Sequence, residues 1–180
     1  MVNKIMNLTE KDPMYNELVN EVSNATDDAL IIVARSHKNR KDSIVKPIAI
    51  KNGIYLYVAY HLDGKTAFLG NVTPEQIYKA KANMLRRAKL SSIDDLMTIA
   101  TLDCHMYGAG LLYCEEFLRE MEHKIGTYYI LPSSIHELIF VPTYIGSKAD
   151  LAAMVREINA SAVSEDDYLA DDVFEMGEWI

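Results

Sequence analysis

An α+β domain is what this 180-residue sequence predicts: an antiparallel sheet, built from a hairpin meander plus a C-terminal strand pair, packed by three to four helices. Three observations lead there. Hairpin signals join the first β-prone runs, chiefly Lys51-Asn52-Gly53, where Asn-Gly suits the left-handed central pair of a type I′ turn. Apolar residues at helical spacing recur in separate later segments, most clearly Tyr107, Leu111, Cys114, Leu118, Met121 and Ile125. No repeat, low-complexity tract or Gly/Ser linker divides the chain, so residues 1–180 read as one domain.

Taken in order, Asp12-Pro13 opens a first helix as N-cap and first helical residue. Met14, Leu18 and Val22 form its stripe and Asn24 its stop. Ala29 to Arg35 is a buried strand, and Ser36 to Asp42 a polar basic loop. Pro47 inside Ile44 to Ile50 demotes that run to an edge strand. Ile54 to His61 returns from the Asn-Gly turn, and Asp63-Gly64 turns into Lys65 to Leu69. Thr73-Pro74-Glu75-Gln76 is a complete helix start, with Ile77, Met84, Leu85 and Ala88 on one face. Ser92 to Asp95 reads as a turn and Met97 to Leu102 as a strand. One helix then spans Tyr107 to Ile125, capped by Gly126. Tyr128 to Leu131 and His136 to Val141 are strands joined through Pro132-Ser133-Ser134. Ser147 caps a helix carrying Leu151, Met154, Val155 and Ile158, a short turn begins at Ser164, and an acidic tail follows.

The longest aliphatic run, Ala29 to Ala34, is far short of the roughly 20 residues that cross a membrane. The opening MVNKIMNLTEKD lacks the apolar core of a secretory signal, and only Cys104 and Cys114 occur, so a reduced, cytoplasmic protein is expected. Charge is unevenly placed. Residues 1–90 hold 14 Lys/Arg against 9 Asp/Glu, residues 91–180 hold 4 against 17, and the total is −8. Such asymmetry points to a charged partner.

Several constellations bear on chemistry. Ser134 and His136, two apart, would share one face of a strand, as a nucleophile and base require, but Glu137 would face away and no G-x-S-x-G elbow exists. Cys104, His105, Cys114 and His123 lack any zinc-ligand spacing, so no metal is expected. Gly108 and Gly110 lack the third glycine and the Lys-Ser/Thr of nucleotide loops; they read as close packing of helix on sheet, and no cofactor is expected. Arg35, Lys38, Arg40, Lys41, Arg86 and Arg87 are candidates to face nucleic acid. Tyr55 and Tyr57, alternating in a strand, read as core.

From Thr73 to Phe174 the chain resembles an uncharacterised domain family of gut Clostridia and related Firmicutes. The strings that carry this are MYGAGLLY (Met106 to Tyr113), YYILPSSIHELIFVP (Tyr128 to Pro142) and MVREINASAVSEDDYLADDVF (Met154 to Phe174). Residues 1–70 form a divergent helix-plus-meander half, and Phe174 to Trp179 replaces the tyrosine-rich strand that usually ends family members. The resemblance brings no catalytic residue. In length, charge and lineage the chain is also similar to small proteins of phages and conjugative elements, among them inhibitors of CRISPR effectors. The expectation is therefore a non-enzymatic inhibitor of a Cas9–guide RNA complex, presenting Glu165, Asp166, Asp167, Asp171, Asp172, Glu175 and Glu178 to its basic channel while the basic loop touches guide RNA. The alternatives are a hydrolase using Ser134 and His136, and a structural accessory protein of a mobile element.

Overall fold

The computed structural model describes residues 4–7, 11, 13–24, 29–38, 47–62, 65–69 and 72–178. The expected roles of Asp12, of the Met14, Leu18 and Val22 side chains, of the Asp63-Gly64 turn and of Arg40 and Lys41 lie outside the described residues. The architecture is α+β, with strands in two sheets. The first holds β1 (Lys4–Asn7), β5 (Lys65–Leu69), β4 (Ile54–Leu62) and β2 (Leu30–Ser36) in that order, with β3 (Ala49–Lys51) also paired to β4. The second runs β10 (Phe174–Glu175), β8 (Tyr128–Leu131), β9 (Leu138–Pro142), β7 (Met97–Leu102), β6 (Ala88–Ile93). Every pairing is antiparallel except β1 with β5. The meander and the C-terminal strand pair thus occupy different sheets.

Local rules place many elements where the sequence puts them. Asn52 and Gly53 both have positive φ, 50° and 77°, and turn β3 into β4. α1 (Pro13–Asn24) ends at the expected asparagine. α2 (Pro74–Arg87) begins with a full capping box: Gln76 N–H donates to Thr73 Oγ1 at 3.2 Å and Thr73 N–H donates to Gln76 Oε1 at 2.8 Å. α3 (Glu115–Ile125) ends at Gly126, φ 75°, and Ser147 caps α4 (Lys148–Ser161).

Three elements depart from expectation. Ala88 does not extend the α2 face, because the chain passes straight from Arg87 into β6; the turn is Asp94 to Leu96, with φ 50° and 57° at Asp94 and Asp95. The Tyr107–Ile125 helix is broken into a 3-10 helix (Gly108–Tyr113) and α3, with Cys114 extended between them. β9 begins at Leu138, so His136 and Glu137 precede the strand instead of opening it; further on, Phe174 and Glu175 pair with Ile130 and Tyr129.

The 3-10 helix is buried between the two sheets, which explains its glycines. A Cβ on Gly108 would stand 2.5 Å from His136 O and 2.6 Å from Thr101 Cα, and one on Gly110 would overlap the Ile32 carbonyl. The outer edge of β2 is sealed by α2 as well: Asn83 Nδ2 donates to Leu30 O at 2.6 Å and Ile32 N–H to the Met84 sulfur at 3.1 Å. One cluster of buried side chains runs from β2 and β4 through Leu111, Cys114, Leu118 and Met121 to Tyr128 and Phe140. A second, smaller one joins α4 (Leu151, Ala152, Val155) to the opposite face of the second sheet at Leu131 and Val141.

Candidate functional site

The site forms where residues 132–137 cross from β8 to β9 and residues 164–170 fold back against them. Ile135 N–H donates to Asp167 O at 2.8 Å, Leu169 N–H to Ser133 O at 3.0 Å and Ala170 N–H to Pro132 O at 3.1 Å. Ser134 and Tyr168 form an antiparallel bridge. The Pro-Ser-Ser stretch, lacking a regular ladder of its own, thereby finds main-chain partners in the C-terminal segment.

His136 is the hub. Its backbone carbonyl accepts from Gly108 N–H and from Thr101 Oγ1, both at 2.9 Å. Its backbone N–H donates to Ser134 Oγ at 3.0 Å, a local serine turn. The Tyr107 N–H points at Nδ1 from 3.3 Å, so Nδ1 is the acceptor. Neutral imidazole then carries its proton on Nε2 and donates it to Asp167 Oδ1 at 2.8 Å. Tyr107, held at φ 59°, lays its ring 5.6 Å from the imidazole. Asp167 Oδ2 in turn accepts from Ser164 Oγ at 2.7 Å. Burial works against ionising Asp167, but the hydrogen bonds from Ser164 and His136, with the nearby Arg35 charge, outweigh it and hold the carboxyl below its ordinary range.

This wiring decides what the cluster can do. Ser134 and His136 are brought close, yet the serine hydroxyl is bonded to a backbone amide and both ring nitrogens are engaged by Tyr107 and Asp167. The arrangement cross-links three segments distant in sequence. Asp167 lies 31 residues from His136, and no local spacing in the sequence announces the pair. The acidic run that contains Asp167 was the only signal, and it read as surface.

The charged candidates divide into tied and free groups. Asp171 accepts from Asn159 Nδ2 at 3.0 Å, and Glu178 bonds Lys148 Nζ at 2.6 Å and the Glu175 N–H at 2.7 Å. Asp172 accepts from the Val173 N–H at 2.9 Å. Glu165, Asp166 and Glu175 present exposed side chains. On the basic side, Arg35 is only 9% exposed, packs over the Phe68 ring at 4.8 Å and leaves Nε and Nη2 without a hydrogen-bond partner. Lys38 reaches across to the acidic segment, 4.0 Å from the Tyr168 ring centre and 3.9 Å from Asp171 Oδ2. These contacts flank a cavity of about 620 Å³ whose lining includes Ser36, Lys38, Tyr168 and Asp171 beside Ile54, Val173 and Phe174. Arg87 is held by Asp103 at 2.7 Å, and Arg86 donates to Asn83 Oδ1 at 2.8 Å. Tyr55 and Tyr57 are buried, Tyr55 with its hydroxyl 2.8 Å from His37 Nδ1.

Among the described residues no group of three or more His, Cys, Asp or Glu is arranged to hold a metal ion. Burial above all pushes the Cys114 thiol up to about 11. No helix among the described residues is long and apolar enough to cross a membrane.

The model of a family of unknown function, DUF5688, matches residues 67–176, more than half of the chain. The chain belongs to DUF5688. No curated protein and no solved structure matches it. The DUF5688 match takes in α2, the 3-10 helix, α3, α4, the whole second sheet and every residue of the His136–Asp167 cluster. It leaves out β1 to β4, although β2 is sealed against α2 and the 3-10 helix by the contacts described above.

Proposed function

We propose that this DUF5688 chain is a non-enzymatic binding protein that inhibits a basic partner through the carboxylates between residues 165 and 178. The partner put forward is a Cas9-type effector carrying its guide RNA, whose nucleic-acid channel is positively charged. One observation supports this most. Asp167, Asp171 and Glu178 spend their charge on internal bonds that fasten the segment to His136, Asn159 and Lys148, and so hold Glu165, Asp166 and Glu175 outward on a fixed backbone. Carboxylates preorganised in this way bind without the cost of ordering a flexible tail. The hydrolase alternative needs His136 as the base for Ser134, and both imidazole nitrogens already serve internal bonds.

The test is the affinity of the purified chain for a Cas9–guide complex, for guide RNA alone and for duplex DNA, each at two salt concentrations. Binding to the complex that weakens as salt rises, with little binding to either nucleic acid, is expected. Binding to none of the three removes the CRISPR-inhibitor reading.

A further inference from the structure

The face of the second sheet that packs on α4 is only partly covered. Leu131, Ile139 and Ile99 lie in register across β8, β9 and β7. α4 covers the Leu131 end, while Ile139 and Ile99 remain half-exposed. Between α4 and the β6–β7 hairpin runs a groove of about 450 Å³, walled by Ile93, Met97, Ile139, Met154, Ile158 and Val163. The size suits a ligand site. Ser134, Ser164, Glu137 and Asp167 also line the groove, so among the described residues its only charged lining is two carboxylates.

Glu137 differs from Asp167 in having no hydrogen-bond or ion-pair partner among the described residues, although it is half-buried in the groove wall. A half-desolvated carboxylate beside apolar walls favours a cation carried on an apolar body. More carboxylates neighbour its lining residues in sequence: Asp94 and Asp95 follow Ile93 directly, and Glu165 and Asp166 lie between Ser164 and Asp167. The exposed side chains of Ile93, Leu96 and Ile158 continue the apolar surface outside the cavity. β6 beside it is the last strand of its sheet, with an outer edge that no described strand pairs. An extended surface flanked by an open strand edge fits a polypeptide, which alone can use main-chain hydrogen bonds along that edge.

We propose that this groove docks an extended segment of the partner protein in which apolar side chains alternate with lysine or arginine, the apolar ones filling the α4–β7 groove and a basic one pairing with Glu137. The proposal rests on the preceding reading in taking the partner to be a basic protein, and adds where and by what sequence chemistry it is held.

The experiment uses the full chain and an acetylated Lys-Val-Lys-Leu-Lys-Val-Lys peptide. Its controls are the same peptide with glutamate for every lysine and with serine for every apolar residue. Amide shift mapping should place the basic–apolar peptide at Ile93, Met97, Ile139 and Ile158. Glu137→Lys and Ile158→Lys should each weaken it by about tenfold or more, the scale of a well-placed anchor. Both positions are partly or fully exposed, so thermal melts should show the two variants folded; Glu137→Gln, which removes the charge and keeps the shape, supplies a second reading if either is not.

Equal binding of the glutamate or the serine peptide overturns the proposal, as does displacement of the peptide by octylammonium at equal affinity, which assigns the groove to a small amphiphile. Shifts confined to Glu165–Glu175, with Ile158→Lys without effect, overturn the groove and leave the acidic-surface reading standing. Groove binding unaffected by Glu165→Lys and Asp166→Lys supports the groove and removes the exposed carboxylates from that reading.

Discussion

His136 and Asp167 join the strand crossover to the C-terminal segment, and the consequence is a definite pH dependence. Asp167 titrates below its ordinary value in the folded chain. The stability it contributes is therefore present above the unfolded carboxyl value of about 3.9 and is lost as pH falls through the lower folded value. Urea midpoints measured from pH 6 down to pH 2 should fall through this window, and Asp167→Asn should remove part of the slope. An unchanged slope in the variant would detach Asp167 from the acid response. The serine beside this pair invites a chemical check. A serine-directed fluorophosphonate should leave Ser134 unlabelled, because the His136 nitrogens face Tyr107 and Asp167; labelling abolished by both Ser134→Ala and His136→Ala would revive the hydrolase reading.

Among the elements, the 3-10 helix and α3 place Leu111, Leu112, Phe117, Leu118 and Met121 in the main buried cluster. Leu118 is buried in the main cluster and its carbonyl accepts from the Tyr128 hydroxyl at 3.0 Å. Leu118→Ala should cost roughly 2–5 kcal/mol in chemical denaturation. A loss below about 1 kcal/mol, the level of surface substitutions, would contradict the assignment. Gly110→Ala should be at least as damaging, since its methyl meets backbone that cannot step aside. What the sequence made legible here follows from local physics. The Thr73 capping box, the Asn52-Gly53 turn, the Gly126 cap and the Ser147 cap are each settled within four residues, so spacing alone revealed them. β6 leaves no mark in the sequence because Lys89 to Ile93 are exposed and become a strand only by pairing with β7. The break at Cys114 was invisible because the apolar stripe keeps the same order whether its first turn is 3-10 or α. The His136–Asp167 pair and the burial of Arg35 are products of tertiary contact, and no pattern along the chain encodes either.

At the scale of the whole molecule, the opposed charges of the two halves are not two independent surfaces. Lys38 from the basic half lies against Tyr168 and Asp171 of the acidic half. Within residues 165–178, the exposed carboxylates with no side-chain hydrogen bond or ion pair among the described residues are Glu165, Asp166 and Glu175, and a charge-reversal experiment belongs there. Reversing Asp167 or Asp171 would cut the bonds that shape the segment. The most direct measurement is the affinity of the wild-type chain and of a Glu165→Lys/Asp166→Lys/Glu175→Lys variant for the same Cas9–guide complex, across a salt series. Exposed charges are screened over about 8 Å at physiological ionic strength, so wild-type binding should weaken steeply as salt rises. The folded variant should associate more slowly, bind less tightly and lose most of that salt dependence. Equal affinity and an equal salt response in the two proteins would contradict the account.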